Sequence, residues 1–226
     1  FMSIWPAFIR GVWFDNVIAC YILLIPLVAV SISALFNYYG KILWNVTCIF
    51  FSLFYGIVLL VTAANIPYFQ YFFKIINSSV FNWFGYMNTT AGMVFGETSY
   101  YPPLIGFLLT LVLFIWLMRR LIRHFQRLLN TKNPSVFWLD RIYIFLTAGI
   151  CIGLCLFGIR GRTGYNPIKV SAAYYCTDPF LNQLGISPVF NLLSSTLDDS
   201  RKENRYLHLM PVSYTHLRAH ETSAHL

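Results

Sequence analysis

Few residues in this 226-residue chain are of types that could do chemistry, and they fall in separate places. Cys151 and Cys155 stand four apart inside an apolar run, so on a helix they would share one face, a spacing open to a metal or a redox pair. Thiols within an apolar helix behave as small hydrophobes, however, and packing is the reading we adopt for them. Cys20 and Cys48 also fall in apolar runs, which leaves Cys176 without an external partner for a disulfide. His216, His220 and His225 crowd the final residues, where a His-rich tract could hold a metal ion. His124 stands alone among arginines and reads as interfacial rather than catalytic.

No phosphate-cradling glycine loop, HExxH helix, paired-carboxylate site or Ser/His/Asp arrangement is present. Asn45-Val-Thr, Asn77-Ser-Ser and Asn88-Thr-Thr match the glycosylation sequon, but the first falls inside an apolar run and the others carry no weight alone. The sequence therefore assigns no catalytic residue, no metal ligand and no cofactor. Arg10, Lys74, Glu97 and Arg160 could each touch a substrate or equally be solvated interfacial charges.

The elements that would position such residues are dictated by composition. Hydrophobic residues make up 58% of the chain and charged residues only 11%, with a mean hydropathy of +0.61, well outside the soluble norm. Four stretches lack any Asp, Glu, Lys, Arg or His: about 16–36, 42–64, 102–118 and 142–159. Each approaches the ~17 to 25 residues that cross a hydrocarbon core of ~30 Å. Backbone groups in lipid must be satisfied within the segment, so helices are expected. Pro26 should kink the first, whereas Pro102 and Pro103 suit the first turn of the third.

Charge sets the orientation. The net charge of +8 does not point to nucleic acid, because six of the sixteen Lys and Arg lie between Arg119 and Arg141, between two apolar runs. That connector is expected in the cytoplasm by the positive-inside bias, since residues 65–101 carry only Lys74 and Glu97. Counting outward sends the 65–101 loop and everything after Ile159 to the extracytoplasmic side. Leu121, Ile122, Phe125, Leu128 and Leu129 oppose Arg119, Arg120, Arg123 and Arg127 at helical spacing, predicting an amphipathic helix on the anionic inner leaflet. Nine aromatics between Tyr68 and Tyr86 are expected to lie at the outer headgroup level, as an interfacial lid or a platform for a phospholipid headgroup. Gly149 and Gly153 form a small-xxx-small pair open to close helix approach.

Three stretches resemble the membrane portion of bacterial lipoteichoic acid synthase-like proteins, phosphoglycerol transferases of the alkaline phosphatase/sulfatase superfamily. They are RGVWFD from Arg10 to Asp15; ANIPYFQYFFKIINSSVFNWFG with the later VFGETSYY; and RGRTGYNPIKVSAAYYCTDPFLNQLGISPVFNLLSS from Arg160. The resemblance covers about residues 8–210 and departs at Ser187, where Asn is expected, and at Arg162. It implies five spans and an external α/β domain in which a divalent metal, often manganese, activates a Thr nucleophile towards a membrane lipid. No position here matches that metal and nucleophile motif, so no residue role carries over.

The expected architecture is an all-α, polytopic transmembrane bundle of four complete spans within 16–159. Residues 1–15 are expected to be the end of a truncated first span, the remnant of a fifth in all, and an outer loop, because FMSIWPAFI opens without an initiator Met. Residues 160–210 are expected to form an extracytoplasmic linker towards an absent catalytic domain. Residues 211–226, including VSYTHLRAHETSAHL, resemble translated adapter read-through and are expected to be non-native. The function expected is that of a membrane anchor, inactive alone, in the bacterial cytoplasmic membrane and in contact with lipids of both leaflets. A small transporter or a non-enzymatic scaffold is the alternative; spans without ionisable residues disfavour the transporter.

Overall fold

The computed structural model describes residues 4–38, 40–130 and 138–201, and these are helical with no strand among them. The His-rich tract and the suspected non-native tail lie outside the described residues. The long helices are α1 (Ile4–Leu35), α2 (Lys41–Phe72), α4 (Tyr101–Asn130) and α5 (Trp138–Arg160). Between α2 and α4 come a 3-10 segment (Ser78–Tyr86), α3 (Met87–Gly96) and a second 3-10 turn (Thr98–Tyr100). After α5 follow a 3-10 turn (Val170–Ala173), α6 (Pro179–Leu184) and α7 (Pro188–Ser200). Among the described residues, four helices are long and apolar enough to cross a membrane.

Two elements differ from the sequence expectation. Residues 4–15 are not a loop: they continue α1, whose 32 residues run unbroken through Pro26. Likewise nothing separates the third span from the basic segment that follows, so the arginines extend α4 along its own axis instead of forming a second, in-plane helix. The physical reason is shared. Pro6 falls in the first turn of α1, where proline is tolerated, Gly11 alone does not end the helix, no breaker stands at the α4 junction, and a started helix gains one hydrogen bond for each residue added.

Helix ends are set by local chemistry. Asn37 takes a left-handed φ of 54° and closes α1, with Tyr38 N–H donating to Ser33 O at 2.8 Å. Pro102 and Pro103 fall in the first turn of α4, as expected. Gly161, at φ 68°, ends α5 and donates to Phe157 O at 3.2 Å.

The bundle is two antiparallel pairs, α1 with α5 and α2 with α4. Gly161 meets Val17 and Cys155 meets Cys20, so α5 climbs as α1 descends; Asn45 lies near Arg119, Gly56 near Leu111, and the Tyr55 and Phe114 rings pack tilted at 5.2 Å, so α2 opposes α4 in the same sense. From Asn45 to Asn65 on α2, and from Arg141 to Arg160 on α5, each helix rises roughly 30 Å, the thickness of the bilayer core. Along this slab the helices expose Ile49, Leu109 and Val112 by two thirds of their surface, as lipid-facing residues would be.

The buried core is not in the middle of that slab. Phe14, Val17, Ile18 and Ile22 of α1 join Ile75, Ile76, Ile168, Ala173, Ile186 and Phe190 at the end where α5 terminates. Phe14 is fully buried and its ring lies 4.7 Å from that of Phe190. Residues 160–201, expected as a linker, fold back here as a compact helical cap on α1 and α2.

Candidate functional site

The cap takes in two of the four charges that could have touched a substrate, Arg10 and Arg160. Its loop 161–168 is folded by Arg160, whose guanidinium donates to the carbonyls of Gly164 and Tyr165, while Arg160 O accepts from Ile168 N at 3.0 Å. Gly161 is required there. A Cβ would come within 2.7 Å of the Ile168 Cγ2 and 2.9 Å of the Val17 Cγ2. The charge that could have been a substrate contact is therefore committed to holding the loop.

Arg10 is also committed, through a contact that only folding creates. From α1 its Nε donates to Ala172 O at 3.0 Å, and its guanidinium lies 4.6 Å from the centre of the Tyr175 ring. Partial burial pushes the Tyr175 phenol above its ordinary pKa, neighbouring Cys176 adds to the rise, and Arg10 pulls the other way. The close approach of cap and helix is possible because Gly185 has no side chain: a Cβ would stand 3.3 Å from Ala7 O.

Asn182, not singled out in the sequence, is the central pin. Buried at the cap base, its Oδ1 accepts from Tyr175 N at 3.0 Å and Cys176 N at 3.2 Å, and its Nδ2 donates to Cys176 O at 2.7 Å. Asp178 caps α6 by accepting from Phe180 N at 2.9 Å, with Pro179 in the first turn. The Asp178-Pro179 pair was the available sequence signal for this helix start. Across the cap, Asn191 Nδ2 donates to Ile76 O at 2.9 Å, Ser195 Oγ accepts from Ser78 N at 2.9 Å, and Asn65 Oδ1 accepts from Ile76 N at 3.0 Å. Ser187, where the resemblance would have Asn, is buried with its Oγ unpartnered.

The remaining candidates are dispersed. Lys74 and Glu97 are exposed, although Lys74 directly precedes the buried Ile75 and Ile76. Cys155 is buried with its Sγ donating to Cys20 O at 3.2 Å, a packing contact, whereas Cys151 is exposed; all five cysteines are free. Gly149 and Gly153 face nothing within 4 Å, so the close approach falls at Gly158 instead, where a Cβ would collide with the Cys20 Sγ. The aromatic stretch divides in two. Tyr68, Phe72 and Trp83 pack on one another at 4.8 to 5.7 Å, while Phe84 and Tyr86 remain exposed. Among the described residues no three His, Cys, Asp or Glu come together, so nothing there fits a manganese ion.

The opposite end of the bundle carries a cleft of about 540 Å³ between α2 and α4. Asn45, Cys48 and Ile49 line it from α2; Arg119, Ile122, Arg123 and Gln126 line it from α4. Asn45, read in the sequence as buried in a span, is exposed at this mouth, one turn into its helix.

With this geometry described, comparison of the chain with protein-family models, with curated proteins and with solved structures finds no match.

Proposed function

We propose that this chain anchors an enzyme that transfers phosphoglycerol or a related phospho-headgroup, or a sulfatase-like hydrolase, to the outer face of the bacterial cytoplasmic membrane. The observation that carries the reading is how residues 160–201 are held. They fold onto the ends of α1 and α2 as a cap that shares one core with α1, pinned by Arg10, Asn182 and Asn191. Such a cap fixes the height and orientation of a catalytic domain over lipid headgroups, and tethering of that kind raises the effective concentration of enzyme towards its lipid. Arg160, Asp178, Asn182 and Asn191 are spent on holding backbone, which suits a scaffold better than an active site. A divalent metal would belong to the catalytic domain, and no step is assigned to it in this chain.

In this reading the cap is extracytoplasmic and the Arg119–Arg127 end of α4 is cytoplasmic, following the basic bias. The test is to express the chain in a bacterial host with a periplasm-dependent alkaline phosphatase reporter fused after Ser200 and, separately, after Asn130. Activity is expected only from the first fusion. The unfused protein, assayed with manganese for glycerol-phosphate transfer and sulfate-ester hydrolysis, is expected to give no turnover. A reporter active only after Asn130, or clear turnover by the unfused chain, overturns the proposal.

A further inference from the structure

We propose that the α2/α4 cleft is a binding site for the phosphate headgroup of an anionic glycerophospholipid in the leaflet that meets the Arg119 end of the bundle. Arg119, Arg123 and Gln126 stand at i, i+4 and i+7, which brings them to one face of α4. Asn45 faces them across the cleft from α2.

The donors outnumber their partners. Arg123 Nε donates to Arg119 O at 3.1 Å, which holds the side chain along the helix and leaves its terminal nitrogens for a ligand. No carboxylate among the described residues pairs with Arg119 or Arg123; the ion pair found there joins Arg201 to Asp198 in the cap. Asn45 has no side-chain hydrogen bond to a described residue. The cleft thus offers two guanidiniums and two amides, a set that matches phosphate oxygens, to which Arg donates in bidentate fashion.

Level and shape select a lipid as the source of that phosphate. Arg119 lies 18 residues along α4 from Tyr101, or about 27 Å, which places it at one edge of the hydrocarbon slab. Cys48 and Ile49 lie further along α2 than Asn45, on the side of the cleft towards the slab where acyl chains would lie, while Arg123 and Gln126 lie beyond Arg119 on the headgroup side. Arg120, outside the cleft, sits 5.3 Å from the Trp116 ring centre, an interfacial pairing at the same level. A free phosphate ion would use the guanidiniums but not this apolar wall.

The experiment is native mass spectrometry of the purified protein, released from detergent after incubation with phosphatidylglycerol, phosphatidylcholine or inorganic phosphate. One phosphatidylglycerol adduct per chain is expected, retained in preference to phosphatidylcholine and not displaced by millimolar inorganic phosphate. The double variant R119Q/R123Q should weaken it roughly 25-fold, about fivefold per arginine near an anionic headgroup. R120Q/R141Q removes the same charge outside the cleft and should bind as the parent does. Equal loss in both variants means general charge attraction and overturns the site. Displacement by inorganic phosphate, or equal retention of phosphatidylcholine, overturns the anionic-lipid assignment.

Discussion

Gly161 shows how one backbone position holds the cap to the bundle. Its left-handed φ of 68° ends α5, and the absence of a side chain lets Ile168 and Val17 close over it. Gly161→Ala meets both penalties, left-handed backbone and overpacking, so a loss of about 2 to 4 kcal/mol is expected from thermal unfolding in detergent. Gly149→Ala, with open space around it, should be neutral or better by the same measurement. Tyr175 reports on the Arg10 contact. Its phenol is held neutral to higher pH than usual, so whatever stability it contributes is present below pH ~10 and declines as pH rises through the folded value. Arg10→Gln removes the cation that favours phenolate. The phenolate absorbance assigned by subtracting a Tyr175→Phe variant should then appear at still higher pH; a shift downward contradicts the contact. That Arg10 mattered was legible in the sequence, but its role was not, because its partners are 162 and 165 residues away.

At the scale of elements, the pairing of α1 with α5 rests on a contact without room for a methyl group. Gly158→Ala pushes a Cβ into the Cys20 Sγ and should cost about 1 to 3 kcal/mol. Cys20→Ala in the same chain should restore most of it, a coupling read from a double-mutant cycle of unfolding free energies. Purely additive losses mean the two helices do not meet there. The sequence offered Gly149 and Gly153 for this role because their spacing fits a known packing pattern, yet spacing only identifies a shared face and not the neighbour that covers it. The basic end of α4 shows the same limit. Its amphipathic pattern, with Arg119, Arg120, Arg123 and Arg127 opposing an apolar stripe, was plain, but periodicity is identical for a separate surface helix and for the last turns of a longer one. Continuity across Met118 and Arg119 decided between them.

For the whole molecule, a slab of roughly 30 Å can be drawn across all four long helices, with the cap beyond one edge and the arginines of α4 at the other. Phe8 and Leu109 are almost equally exposed, at 62% and 66%, but lie at different levels: Phe8 two turns above Asp15, Leu109 within the slab. Leu109→Lys should therefore cost about 2.5 to 3.5 kcal/mol in membrane insertion, and Phe8→Lys less than about 1. A translocon insertion assay reads both, and equal penalties would place the α1 tip within the bilayer. The sequence by itself determined the four crossings and the side on which basic charge accumulates, because hydropathy and charge sum along a chain regardless of its neighbours. Only the tertiary structure decided which helices pair, that residues 160–201 form a cap rather than a loose tether, and that Asn45 faces Arg119 and Arg123 across a cleft. In the spans, lipid-facing and helix-facing positions are both apolar, so no pattern along the chain distinguishes them. The polar pins from Arg10, Asn191 and Ser195 join residues more than a hundred positions apart, and only the packed core around Phe14 brings them within hydrogen-bonding reach.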